Sequence, residues 1–236
     1  MPEIGRTPAG PAVSAAHNLA IRVVSALVLA PLALLVTYMG GIVFVLFWGL
    51  AAAALLWEWI SLVTGPLWIA TGIGYAALML LAPVTIRVDA ELGFQSMLLL
   101  FAIVWMTDIC GYFGGRAIGG PKLAPAISPK KTWAGAIAGT AGAVVAAVLV
   151  AEWFGTVALG TVAIIAVVLS GVAQLGDLLE SWIKRHFGVK DASHLIPGHG
   201  GVMDRLDSFW AATVAAAVIG IARGGVDGAA RGLLVW

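Results

Sequence analysis

Charge and cysteine are both scarce in this chain of 236 residues. Only 11% of it is Asp, Glu, Lys or Arg, where an average soluble domain carries about 25%. The single cysteine, Cys110, excludes an internal disulfide. Four histidines and that one cysteine offer no short-spaced ligand set of the kind zinc requires. No internal repeat or low-complexity linker breaks the chain. The net charge of +1 identifies no partner, because the charges are segregated, and nothing in the chain points to nucleic acid.

What remains is apolar. Hydrophobic residues make up 61% of the chain and the mean hydropathy is +1.01. The excess runs over nearly the whole length, so one anchor does not account for it. A multi-pass membrane protein does. Residues 1–18 carry Pro2, Pro8 and Pro11 and read as a flexible tail, with 19–236 as one membrane-embedded domain. Seven apolar segments are expected to cross: Leu19–Met39, Ile42–Val63, Leu67–Ala82, Phe94–Ile118, Ala134–Trp153, Val157–Trp182 and Ser208–Ala222. A hydrocarbon core of about 30 Å needs about 17–25 residues of helix, and helix is required because lipid offers no backbone partners. The fold class is therefore an all-α membrane bundle. The run Val23–Met39 is longer than a signal-peptide core and lacks a small-x-small cleavage site, so it reads as a retained helix.

Basic residues set an orientation. With the N-terminus inside, the cytoplasmic face receives Arg6, Arg22, Arg116, Lys122, Lys130, Lys131, Lys184, Arg185, Lys190 and Arg205. The opposite face receives Arg87, Arg223 and Arg231. Tryptophans 57, 59, 68, 133, 153, 182 and 210 fall near expected helix ends, where amphipathic rings prefer to sit.

Between Ser181 and Asp207 the apolar chain turns polar: SWIKRHFGVKDASHLIPGHGGVMDRLD. Cations, carboxylates and a glycine-rich turn together suit phosphate and metal. Asp177, Ser181 and Lys184 share one helix face, as do Asp204 and Asp207. Carboxylates converging from two helix ends suit Mg²⁺, which takes one or two carboxylates and completes its shell with phosphate and water. Asp108 and Asp177, inside apolar segments, are either paired between helices or part of this site, since an ionised carboxylate in lipid costs about 2.5–3.5 kcal/mol or more. Glu180 is expected on a surface. Glu58, between Trp57 and Trp59, is either a structural acid or a neighbour of the site.

A second polar segment reads GGPKLAPAISPKKTW, residues 119–133. Ser128-Pro129 starts a turn, Lys130 and Lys131 follow, and Thr132 is positioned to cap the next helix. Lysines at a helix N-terminus make a phosphate site, although an ordinary cytoplasmic loop would also be basic. Gly198-His199-Gly200-Gly201 is either a plain loop or a nest of amides for a phosphate. His186 and His194 are expected at the surface, and Cys110 in packing.

The run Ser181-x-Ile183-Lys184-Arg185, Lys190-Asp191-x-Ser193, Ile196-Pro197-x-His199-Gly200-Gly201-Val202 and Asp204-Arg205-Leu206-Asp207 resembles the signature of the phosphatidate cytidylyltransferase (CDP-diacylglycerol synthase) family. The upstream Ser128-Pro129-Lys130-Lys131-Thr132-Trp133 resembles the family's second landmark, and the likeness spans roughly 108–210. The chain departs from the pattern at Ala134-Gly135, where Glu-Gly is usual, and in having seven expected helices where larger members have eight or nine.

The resemblance implies transfer of CMP from CTP to phosphatidate at a cell membrane, with Mg²⁺ or Mn²⁺ and room for a second monovalent or divalent cation. It implies membrane lipid as the surroundings and permits a homodimer. Asp177 and Asp204 are then the first metal ligands expected, with Asp207 and Asp108 in support. Lys184, Arg185 and Arg205 join Asp177 and Asp204 as catalytic residues. Ser128, Lys130, Lys131, Ser181, Lys190, Asp191, His199, Gly200 and Gly201 are expected to bind substrate. A related enzyme acting on another lipid, a polyprenol kinase or an ether-lipid CDP synthase, is the alternative. An ion transporter fits less well, because the charges collect at one face and no inverted repeat is present.

Overall fold

A computed structural model describes residues 15–189, 192, 193, 195 and 200–236, with side chains from 27 onward. Seven long helices follow one another: α1 (Ala15–Met39), α2 (Gly41–Leu62), α3 (Pro66–Arg87), α4 (Gly93–Ile118), α5 (Trp133–Trp153), α6 (Leu159–His186) and α7 (Met203–Gly224). A hairpin of β1 (Lys122–Ala124) and β2 (Ser128–Thr132) joins α4 to α5, and a 3₁₀ turn (Val226–Gly228) and short α8 (Ala229–Leu234) close the chain. Helices α2 to α7 are each long and apolar enough to cross a membrane; of α1, the shorter stretch Leu27–Met39 is apolar. At 1.5 Å per residue, a helix of 22 residues such as α2 spans about 33 Å. The architecture is the expected polytopic helix bundle.

Four helices outrun the segments that hydropathy marks out. Helix α1 begins at Ala15, four residues before Leu19 and within the stretch expected as a tail. Helix α3 continues through Pro83 to Arg87 instead of ending at Ala82. Pro83 is buried, and neighbouring helices make such a proline tolerable. Helix α6 runs on to His186, and α7 starts at Met203, before the expected Ser208. In both, the charged residues that end the apolar pattern are still inside the helix.

Small residues decide which helices touch. Helices α4 and α5 meet through Gly111, Gly114 and Gly115 on one side and Gly135 and Gly139 on the other. A Cβ at Gly139 would lie 2.5 Å from the Thr107 carbonyl oxygen, and one at Gly135 2.8 Å from that of Gly111. This is the small-xxx-small contact by which membrane helices approach closely. Helix α7 leans on α6 by the same device: a Cβ at Gly176 would meet the Ala211 methyl at 2.5 Å and the Asp207 carbonyl at 2.8 Å. Between α4, α5 and α6, Thr107, Thr140, Ser170 and Gln174 satisfy one another by hydrogen bonds.

Aromatic stacking fills the other half of the bundle. Phe209 lies between Trp48 (5.0 Å) and Phe101 (5.1 Å), and Tyr75 stacks on Trp210 at 3.9 Å. Two tryptophans expected at the membrane interface belong to this packing instead. Trp59 is buried, with its indole N–H on the Trp68 carbonyl, and Trp210 donates to the Tyr75 carbonyl. Trp57, Trp133 and Trp153 do face outward.

Candidate active site

The hairpin and the ends of α4, α5, α6 and α7 enclose an open cleft of ≈ 870 Å³. Its wall gathers both polar regions of the sequence. Lys122, Lys130 and Lys131 come from the hairpin, Asp108 and Arg116 from α4, Asp177 and Lys184 from α6, and Asp204, Arg205 and Asp207 from α7.

Local sequence explains how the hairpin is aimed. Thr132 ends β2 in extended conformation and caps α5, its hydroxyl accepting from the Gly135 amide at 3.1 Å. The Trp133 amide donates to the Pro121 carbonyl at 3.1 Å, closing the base. The strands pair antiparallel, Lys122 opposite Thr132 and Ala124 opposite Ser128. Lys131 then reaches across to Asp177 in an ion pair, tying the hairpin to α6. The 119–133 segment is thus a short sheet rather than the loop its prolines suggest.

The α6–α7 wall is built around Lys184. Its ammonium sits 2.7 Å from a Glu180 oxygen and also pairs with Asp204 on the next helix. The second Asp204 oxygen accepts the amides of Gly201 (2.8 Å) and Ala192 (3.1 Å). Asp204 is therefore engaged by a cation and two backbone donors. Glu180, expected on a surface, is buried. The reason is helical: Asp177 and Glu180 are i and i+3, and Glu180 and Lys184 are i and i+4, so all three share a face. Asp177, Glu180 and Asp207 each bring a carboxylate oxygen within 4.8 Å of one another. Among the described residues, one oxygen of Glu180 is buried with no hydrogen-bond partner. An orphaned acceptor among three carboxylates fits a divalent cation by its donor chemistry.

Of the residues expected from sequence, Asp108, Lys130, Lys131, Asp177, Lys184, Asp204, Arg205 and Asp207 line the cleft. Ser181 stands beside it and donates to Asp177 at 3.4 Å. Arg185 points elsewhere, to the Val189 carbonyl at 2.9 Å. Ser128 lies in β2 outside the lining, and Gly200 and Gly201 stand next to Asp204. Lys190, Asp191, His194 and His199 are outside the described residues. Among the expected metal ligands, Asp177 and Asp207 belong to the close carboxylate cluster, whose third member is Glu180. Arg116, Lys122 and Gln174 also line the cleft. Arg116 and Lys122 carried a signal in the basic bias of this face. Gln174, one helical turn before Asp177, carried none.

Known proteins point the same way. A model of the cytidylyltransferase family matches residues 64–221, which include every cleft residue named above. A phosphatidate cytidylyltransferase of Brucella suis is 39% identical over 83% of this chain and 90% of its own length. That of Rickettsia typhi is 35% identical over 81% and 87%. A shorter alignment to the Staphylococcus saprophyticus enzyme, half of this chain and 45% of that one, is 44% identical.

Proposed function

The chain belongs to the cytidylyltransferase family, and from that premise we propose that it transfers CMP from CTP to phosphatidate, releasing pyrophosphate and forming CDP-diacylglycerol. The observation that carries this reading is one cleft at the helix ends that joins six basic and four acidic side chains. Such a mixture suits two anionic substrates and a cation, and the apolar bundle around it suits a lipid.

In the proposed step, an oxygen of the phosphatidate phosphate forms a bond to the α-phosphorus of CTP. The bond from that phosphorus to the bridging β-oxygen breaks, and pyrophosphate leaves with the electron pair. The nucleophile is already anionic, so no strong base is needed. The barrier lies in bringing two anions together, and positioning and charge stabilisation lower it. Lys130, Lys131 and Lys122 on the hairpin and Lys184 and Arg205 on the helices would neutralise phosphate oxygens from opposite walls. Ser181 would steady Asp177. Asp108 faces the reaction from α4, and Asp204 holds Lys184 in place. Mg²⁺ or Mn²⁺ would be held by Asp177, Glu180 and Asp207 and would supply charge neutralisation at the phosphates.

The same reading puts the cleft on the cytoplasmic side of the cell membrane, where CTP meets phosphatidate of the inner leaflet. Purified protein in lipid micelles with Mg²⁺, CTP and phosphatidate should release pyrophosphate and form CDP-diacylglycerol. Dolichol-type alcohols in place of phosphatidate should yield nothing. No product from phosphatidate across several acyl chains, or product only from a free alcohol, would overturn the assignment.

A further inference from the structure

Glu58 stands in α2, outside the residues matched by the family model and outside the cleft lining. Its side chain is wholly buried. Three donors converge on its carboxylate. The Ser193 hydroxyl and the Val202 amide reach one oxygen at 2.5 and 2.8 Å, and the Met203 amide reaches the other at 2.7 Å. Val202 and Met203 open α7, so these amides are among the orphan donors of its first turn. A carboxylate from a different helix thus caps α7 at the positive end of its dipole.

Four described residues ahead of α7, Ala192 and Ser193 and then Gly201 and Val202, rest on two carboxylates. Glu58 takes Ser193 and Val202. Asp204 takes Ala192 and Gly201. The fit is close: a Cβ on Gly201 would lie 2.8 Å from each Glu58 oxygen, and one on Gly200 would lie 3.0 Å from Asp204. Only glycine lets this backbone sit on the two acids. Beyond that cap, the first two turns of α7 carry Asp204, Arg205 and Asp207 to the cleft.

Taking the proposed transfer reaction as given, we infer that Glu58 is a positioning residue for it: it fixes the start of α7, and through that the placement of Asp207 beside Asp177 and of Asp204 beside Lys184. Glu58 is not part of the cleft lining, so its effect travels through the backbone of residues 201–204. A carboxylate is required because all three partners donate. Glutamine would turn an N–H₂ toward a donor and leave that donor buried without an acceptor.

Two readouts test this together. Glu58→Gln should lower kcat roughly 10- to 100-fold while the KM for CTP stays within about threefold, because misplacing catalytic groups by an ångström costs turnover. Hydrogen–deuterium exchange in the Glu58→Gln protein should quicken in residues 200–207 and stay as in the wild type in α4 and α5. Ser193→Ala, which removes one donor and keeps the α7 cap, should show the same pattern more weakly and serves if the first variant does not fold. Wild-type kcat in both variants, or exchange that quickens throughout the bundle, would overturn the inference. The exchange measurement needs no substrate, so an inactive wild-type protein would sink the proposed reaction while leaving the placement of α7 by Glu58 open to disproof.

Discussion

At the end of the bundle where α3 passes into α4, the arginines are committed to the scaffold. Arg87 donates to the carbonyls of Thr37 (2.7 Å) and Tyr38 (3.2 Å), closing the C-terminal turn of α1. Arg223 donates to the Gly232 carbonyl at 2.5 Å and lies 3.4 Å from the Trp236 ring centre. Arg231 pairs with Glu91 at 3.0 Å. At the other end the cations surround a cleft. Lys122 and Lys130 make no ion pair among the described residues, and the paired Lys131 and Lys184 bridge separate walls. In a chain so poor in charge, one end uses cations to satisfy helix carbonyls, and the other leaves them facing a space that an anion can enter. Cations near helix C-termini are stabilising wherever they occur; cations gathered around open volume are the mark of a site.

Breaking the cleft end should therefore cost activity, and breaking the capped end should cost stability. The largest effect is expected from Asp177→Asn, which alters the carboxylate cluster and the Lys131 pair. Turnover in a CDP-diacylglycerol assay should fall by about 10² or more, as when a main electrostatic element is removed. Lys184→Met should follow. It leaves Glu180 and Asp204 buried without their cation, and losing one partner of such a group costs about 3–5 kcal/mol. Thermal unfolding in detergent should show this alongside lost activity, the one place where the two ends' behaviours merge. Lys130→Ala should raise the KM for CTP by roughly tenfold, about 1.4 kcal/mol, with the unfolding midpoint unchanged. Arg87→Ala should do the reverse, lowering stability by about 2 kcal/mol, the scale of charged hydrogen bonds to a carbonyl, with activity per folded molecule unaltered. Arg231→Ala should be nearly silent, below about 0.5 kcal/mol, because that ion pair is solvent-exposed.

The membrane spans were largely legible in the sequence, and the cleft end only in part. Hydropathy finds α2, α4 and α5 almost to the residue, because apolar runs there end where the helices end. It stops short in α6 and α7, where Lys184, Asp204 and Asp207 end the apolar run but not the helix. Lys184 and Asp204 match each other's charge across the α6–α7 contact, which Gly176 makes close, and Asp207 joins the carboxylates of Asp177 and Glu180 there. Helical spacing linked Asp177 to Lys184, and the same spacing applied to Glu180 would have put it on that face. The hairpin was hidden by Pro129 and by strands too short to show alternation. Glu58 gave no local signal of its role, since its partners lie more than 130 positions away. Ala134, where the related pattern has glutamate, stands in the first turn of α5 and is not part of the cleft lining.

The contrast between the two ends is tested most directly by kcat/KM for CTP with phosphatidate, measured per folded molecule for Asp207→Asn and Arg87→Ala side by side. The account predicts a loss of about 10² or more for Asp207→Asn and a value within about twofold of wild type for Arg87→Ala. Near-normal catalysis by Asp207→Asn, or a collapse of catalysis in well-folded Arg87→Ala, would contradict it.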